Sequence, residues 1–128
     1  IMKRFTLLFF FLFNLFCSAQ QTIGKIEKLD EEIDLLIDEN TVIEILADGF
    51  NWSEASLDRA GLADGMKVHS KGYLFATGPG GVLTFSPVGK HLGGIITEKR
   101  TANCTFNKDE SALYMTSDRY LTRIKLKH

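Results

Sequence analysis

Residues 64–122 carry nearly the same pattern twice. Asp64 opens an apolar-alternating run, and ten positions later comes Leu74-Phe75-Ala76-Thr77. Asn103 opens a second run, and ten positions later comes Leu113-Tyr114-Met115-Thr116. The two copies are offset by 39 residues, and the offset persists to Val82-Leu83-Thr84 against Leu121-Thr122. A period of about 40 residues with only short-strand signals inside it points to propeller blades rather than a helical solenoid. The pattern predicts an all-β chain, with two four-stranded units of a partial β-propeller. Two such units do not close a ring.

The N-terminus stands apart from this pattern. Lys3-Arg4 precedes the apolar run Phe5–Phe16, and Cys17-Ser18-Ala19 follows before Gln20. A basic start, an apolar stretch of about a dozen residues and a small residue before the cut read as a secretory signal. The run is short of the roughly 20 apolar residues that a spanning helix needs. Residues 1–19 are therefore expected to be removed after Ala19, leaving an exported chain, periplasmic or secreted, with no stable membrane association.

Removing that segment takes away Lys3 and Arg4 but no acid, so the formal charge moves from −1 to −3. Such a balance gives no electrostatic footprint for nucleic acid or an anionic membrane. Lys99-Arg100 and the tail Arg123, Lys125, Lys127 are interleaved with other residue types and read as solvated strand faces. Cys104 is left as the single thiol of the exported chain, so no internal disulfide is available. Its place in a strand pattern makes it a small core residue.

Within residues 20–54, Ile26, Leu29, Ile33, Leu36 and Ile37 recur at spacings of three and four, which predicts a short amphipathic helix. Val42–Ala47 reads as a strand and Asp48-Gly49 as a turn. Phe50 and Trp52 are expected in the core. Residues 55–61 then interrupt the strand series as a junction. From residue 62 to 128 the punctuation is regular. Met66–His69, Tyr73–Thr77, Val82–Phe85 and His91–Ile96 form four strands separated by turns that carry Gly or Pro. The second copy supplies only three, at Cys104–Phe106, Ala112–Thr116 and Tyr120–Lys125. Val42–Ala47 is the natural donor of the missing fourth, because closure between the two ends of the chain removes an exposed sheet edge. Edges left open would invite self-association.

In a propeller, residues at the start of each innermost strand converge on one axis. Asp64 and Asn103 hold that equivalent position, and Glu54 ends the incomplete unit before them. Two carboxylates and an amide offer oxygen donors, which suit a divalent metal, Ca2+ first, Mg2+ or Mn2+ next, with Zn2+ an option of lesser fit. A metal so held can polarise a carbonyl and acidify water, a route to ester or lactone hydrolysis. The residue pattern alone favours a structural role, since Asp-Gly is an ordinary turn and Asn103 can satisfy backbone groups at a strand start. Gly78-Pro79-Gly80-Gly81 is a hairpin turn, with no helix or Lys-Ser/Thr behind it to make a phosphate cradle. His69, His91 and His128 lack metal-ligand spacing.

Gly49–Glu54, Leu62-Ala63-Asp64-Gly65-Met66-Lys67-Val68, Gly72–Val82 and Thr101-Ala102-Asn103-Cys104 resemble the gluconolactonase branch of the regucalcin/senescence-marker family. The resemblance covers nearly all of residues 22–127. It implies a six-bladed propeller with one divalent metal, usually calcium, on its axis, and hydrolysis of sugar lactones and related esters. It places metal-binding carboxylates at Glu54 and at Asp64, the latter also catalytic. Asn103 is a third metal ligand only by equivalence within the repeat. This chain departs from the family after Glu54, where Ala55-Ser56-Leu57 stands in place of Gly-Pro-Val. The central blades have no counterpart, as though deleted between Glu54 and Leu62. The sequence thus predicts an internally truncated, impaired lactonase. The alternatives are a non-catalytic remnant or a two-blade unit that assembles into a ring.

Overall fold

The computed structural model describes residues 19–50 and 63–127. Within them lie two antiparallel five-stranded sheets and no α-helix. The strands are β1 (Thr22–Ile23), β2 (Lys25–Lys28), β3 (Ile43–Ala47), β4 (Met66–Val68), β5 (Leu74–Gly78), β6 (Gly81–Phe85), β7 (His91–Ile96), β8 (Thr101–Phe106), β9 (Ala112–Ser117) and β10 (Tyr120–Lys125). The first sheet runs β2-β7-β6-β5-β4, and the second runs β1-β3-β10-β9-β8. The expected signal segment, apart from Ala19, lies outside the described residues, as do the junction 55–61, Trp52 and Glu54. No helix among the described residues is long and apolar enough to cross a membrane.

Each sheet follows from period-two patterning joined by tight turns. Along β5 and β6 the register Phe75↔Thr84 and Thr77↔Val82 gathers four fully buried side chains on one face. On the second sheet, Cys104↔Met115 and Phe106↔Leu113 bring buried Cys104, Met115 and Leu113 together with half-buried Phe106. These two faces pack against one another. Phe75 meets Phe106 edge to face at 5.3 Å between ring centroids, and Val82, Ile95, Leu113, Met115 and Ile124 complete a single core. The opposite face of the first sheet carries half-buried Leu74, Leu83 and Phe85 and exposed Met66 and Val68. At the β5–β6 turn, Gly80 takes a positive φ of +77° next to Pro79, a backbone state that glycine enters without steric cost.

The N-terminal strand closes the second sheet as the pattern required. β3 pairs with β10 through Ala47↔Leu121, Ile45↔Thr122 and Glu44↔Arg123, with a bulge between Leu121 and Thr122. Arg123 and Glu44 reinforce that seam with an ion pair at 2.7 Å. Ile43 is buried in the common core.

The expected helix at the start of the chain is not formed. Gly24, at φ +60°, turns the chain between β1 and β2. β2 then adds to the outer edge of the first sheet with Ile26 opposite Ile95. Only a 3-10 turn, Glu31–Leu35, follows, capped by the Asp30 carboxylate accepting from the Glu32 N–H at 3.0 Å. Ile33, Leu36 and Ile37 are buried beneath it, whereas Leu29 and Leu35 stand exposed, so the apolar spacing serves two different elements. Open edges on both sheets offered ladder hydrogen bonds that outweighed a marginal helical preference. Phe50 also departs from expectation: it is 48% exposed, its N–H donating to the Arg119 carbonyl at 3.3 Å.

Candidate functional site

The sequence repeat is echoed, with differences, in the hydrogen bonds near the heads of β4 and β8. Ahead of β4, the N–H groups of Asp64 and Gly65 both donate to Thr77 Oγ1, at 3.0 and 2.8 Å. That hydroxyl in turn donates to the Gly65 carbonyl at 3.0 Å. In β8 the Asn103 N–H donates to Thr116 Oγ1 at 3.2 Å, and the hydroxyl returns to the Asn103 carbonyl at 3.4 Å. In both copies the threonine lies 13 residues after the candidate site residue. These threonines escaped the reading of site residues, although the same offset that aligns Asp64 with Asn103 aligns Thr77 with Thr116.

The two heads meet. A β-carbon at Gly65 would collide with the Asn103 side-chain amide and approach the Asn103 Cα to 3.0 Å, so only glycine lets the Asp64-Gly65 backbone lie there. Asp64 and Asn103 are both exposed. The Asn103 Oδ1 accepts from the Cys104 N–H at 2.8 Å, which occupies one of the two acceptor sites of that oxygen and leaves one. An open depression of about 260 Å³ extends from Asn103 over the outward face of the second sheet. Lys67, Thr105, Tyr114, Thr116 and Leu121 line it.

Glu54 lies outside the described residues; of the other two expected ligands, Asn103 abuts Gly65, the chain neighbour of Asp64. Oxygen donors from a carboxylate and an amide fit a hard divalent cation in kind. They do not fit it in number, because such a cation takes six or more oxygens. Among the described residues, no three of His, Cys, Asp and Glu gather at one point.

The remaining reactive side chains have structural employment. Cys104 is buried and directs its thiol to the Phe75 carbonyl at 3.7 Å. Burial pushes its pKa up to about 11 against a weaker opposing pull from Lys67, so it is no nucleophile at neutral pH. His69 is buried, accepts from the Lys71 N–H through Nδ1 at 3.1 Å and turns Nε2 to Glu110 at 3.5 Å. The Glu110 carboxyl also accepts from the hydroxyl and N–H of Ser70, and the hydroxyl bond foremost holds its pKa below the ordinary value. His91 stacks on Phe85 at 4.9 Å. His128 lies outside the described residues.

Comparisons with known proteins agree with this fold. The chain is 36% identical over 70 residues to a gluconolactonase of Zymomonas mobilis, a match spanning 53% of this chain and 20% of that protein. It superposes on the solved structure of XC5397, a gluconolactonase of Xanthomonas campestris, with a TM-score of 0.50 and 28% identity, covering 70% of this chain and 35% of the other. A second solved chain, at 23% identity and the same TM-score, shows the shared fold. The chain therefore spans well under half the length of the relatives it matches. The family model describing the SMP-30/gluconolactonase/LRE-like region matches residues 24–119. The chain belongs to the SMP-30/gluconolactonase/LRE-like family.

Proposed function

We propose that this protein is a metal-assisted lactone hydrolase of the gluconolactonase type, acting on a sugar lactone at the mouth formed by Asp64 and Asn103. The observation that carries the reading is the meeting of the two heads, with Gly65 seated against the Asn103 amide. The two sheets are read as adjoining C-terminal blades of a six-bladed propeller, with β3 completing the last. Asp64 and Asn103 would hold the divalent metal, Ca2+ foremost, with Glu54 as a third donor. When bound, the metal would supply Lewis-acid activation of the lactone carbonyl and a water of lowered pKa.

The chain's own residues account for binding and orientation. The depression beside Asn103 offers the hydroxyl of Thr105 to sugar hydroxyls and the Lys67 ammonium to the carboxylate of the opened product. The Asp64 carboxylate accepts hydrogen bonds from water at the mouth and is the catalytic residue. Activity is impaired relative to full-length relatives, because two blades supply an incomplete ligand shell and leave substrate loosely placed. The chain is exported, its basic and apolar N-terminus serving as the signal.

Opening of glucono-1,5-lactone by the purified mature chain, followed by acid release with added Ca2+ and after chelation, tests the reading. Acid release above the buffer rate that chelation abolishes is expected, at least about tenfold below the Zymomonas mobilis enzyme, the scale on which loosened ligand shells reduce activity. Acid release at the buffer rate in both conditions refutes it.

A further inference from the structure

We infer that this chain docks head to tail onto further copies of itself in a closed ring, the outer face of one first sheet against the outer face of the next copy's second sheet. The inference goes beyond the lactonase reading and does not rest on it. From the inner edge outward the sheets run β4-β5-β6-β7-β2 and β8-β9-β10-β3-β1, so each strand of the first has a counterpart in the second. The ladders agree pair by pair. Leu74↔Phe85 and Ala76↔Leu83 correspond to Leu113↔Ile124 and Met115↔Thr122. On the opposite faces, Phe75↔Thr84 and Thr77↔Val82 correspond to Tyr114↔Arg123 and Thr116↔Leu121.

The core is therefore a contact between unlike faces. The first sheet gives it Phe75 and Val82, and the second gives it Leu113, Met115 and Ile124. Each outer face is then the counterpart of a face already buried on the other sheet. Half-buried Leu74, Leu83 and Phe85 stand where the second sheet has its core residues, and half-buried Tyr114 and Leu121 stand where the first has Phe75 and Val82. The inner strands extend the match. Met66↔Ala76 corresponds to Cys104↔Met115, and Val68↔Leu74 to Phe106↔Leu113. Met66, 54% exposed, thus holds the place of buried Cys104, and Val68, 63% exposed, holds that of Phe106. Apolar side chains gathered on one exposed sheet face mark an interaction surface. The surface that fits it is the one that its counterpart already contacts within the chain. On a neighbouring copy Val68 would lie over Tyr114, as Phe106 lies against Phe75 here. The depression over the second sheet would gain its missing wall from β4 of that neighbour.

The seam within the chain also sets the direction of growth. The inner strands touch where Gly65 abuts Asn103. Farther out the 3-10 turn stands between the sheets, with Ile33 beside Gly93 of β7 and the Leu36 carbonyl accepting from the Lys127 N–H just after β10 at 2.7 Å. A seam that is narrow inside and wedged outside turns each sheet about an axis along the inner strands. Repeated contacts between unlike faces then close into a ring.

Sedimentation of the purified mature chain, without metal or lactone, tests the inference separately from the lactone assay. A single species of at least three chains is expected across micromolar concentrations, because unlike faces cannot pair reciprocally in a dimer. Met66→Asp and Thr116→Asp each place a charge on one outer face, at exposed positions that leave the core intact. Each variant should be a folded monomer by circular dichroism and sedimentation, and Val68→Asp repeats the first test if Met66→Asp does not fold. Mixed in equal amounts, Met66→Asp and Thr116→Asp each retain one working face and should form a one-to-one heterodimer and nothing larger. A monomeric or dimeric wild type overturns the inference, as does a wild type that grows into open filaments. Folded variants that stay monomeric when mixed overturn it equally.

Discussion

Replacing Ile43 with alanine tests whether the N-terminal strand is an integral part of the second sheet. Ile43 is 1% exposed, and its strand lies between β1 and β10. The substitution deletes three carbons, worth about 2.4 kcal/mol at about 0.8 kcal/mol per buried methylene. Incomplete collapse of the cavity adds to this, and such core truncations cost about 2–5 kcal/mol in total. A value near 3 kcal/mol is expected, which for a domain of this size lowers the melting temperature by roughly 12–24 °C. The neighbouring Val42, 54% exposed, provides the control, since Val42→Ala should stay within about 0.5 kcal/mol. Urea unfolding of both variants supplies the free energies, and hydrogen exchange locates the loss. Amides of Thr122 and Ile124 in β10 should exchange faster in Ile43→Ala, because losing the seam exposes the edge of β10. A cost below 1 kcal/mol, or faster exchange confined to residues 22–47, would show that β3 is appended to the sheet rather than closing it.

Four hydroxyls form a buried chain from the end of β7 into the second sheet: Thr97 to Thr101 at 3.0 Å, Thr101 to Ser117 at 3.1 Å and Ser117 to Thr122 at 3.3 Å. Thr101→Val breaks it in the middle and should cost about 1–3 kcal/mol in urea unfolding, the penalty of stranding buried polar partners. The Glu110 carboxyl has a folded-state pKa below its unfolded value, so its stabilisation is present above about pH 4.3 and fades as pH falls through the folded value. Glu110→Gln should therefore flatten the urea midpoint between pH 6 and pH 3, and an unchanged slope would contradict the assignment. Cys104, with its thiol pushed up to about 11, should resist a disulfide reagent at pH 8 in the folded chain and react promptly in urea.

Much of the architecture was legible because it is periodic. The 39-residue offset aligned Asp64 with Asn103, and the same offset appears in the hydrogen bonds of Thr77 and Thr116. The need to cover the edge of β10 identified Val42–Ala47 as its partner, a pairing that connects residues 79 apart in the chain at Glu44 and Arg123. The apolar spacing from Ile26 to Ile37 misleads for an equally physical reason. Ile26, Ile33, Leu36 and Ile37 have helical spacing, but the first faces Ile95 across a strand pair and the others sit under a 3-10 turn. Periodicity cannot distinguish one helix from two short elements that bury into the same core. For Phe50 the aromatic character alone points to the core, and a half-exposed aromatic just beyond a strand carries no contrary sequence signal. At the site, the carboxylate and amide were legible as repeat-equivalent positions. The hydroxyls holding them were not, because threonine in a strand is ordinary until its partner is known.

The most direct test of the functional account is Ca2+-dependent opening of glucono-1,5-lactone by the wild-type chain beside Asp64→Asn, which preserves shape and removes the charge. The account predicts a wild-type rate above that of buffer, abolished by chelation and reduced to the buffer rate in the variant. Equal rates in the two proteins would contradict it.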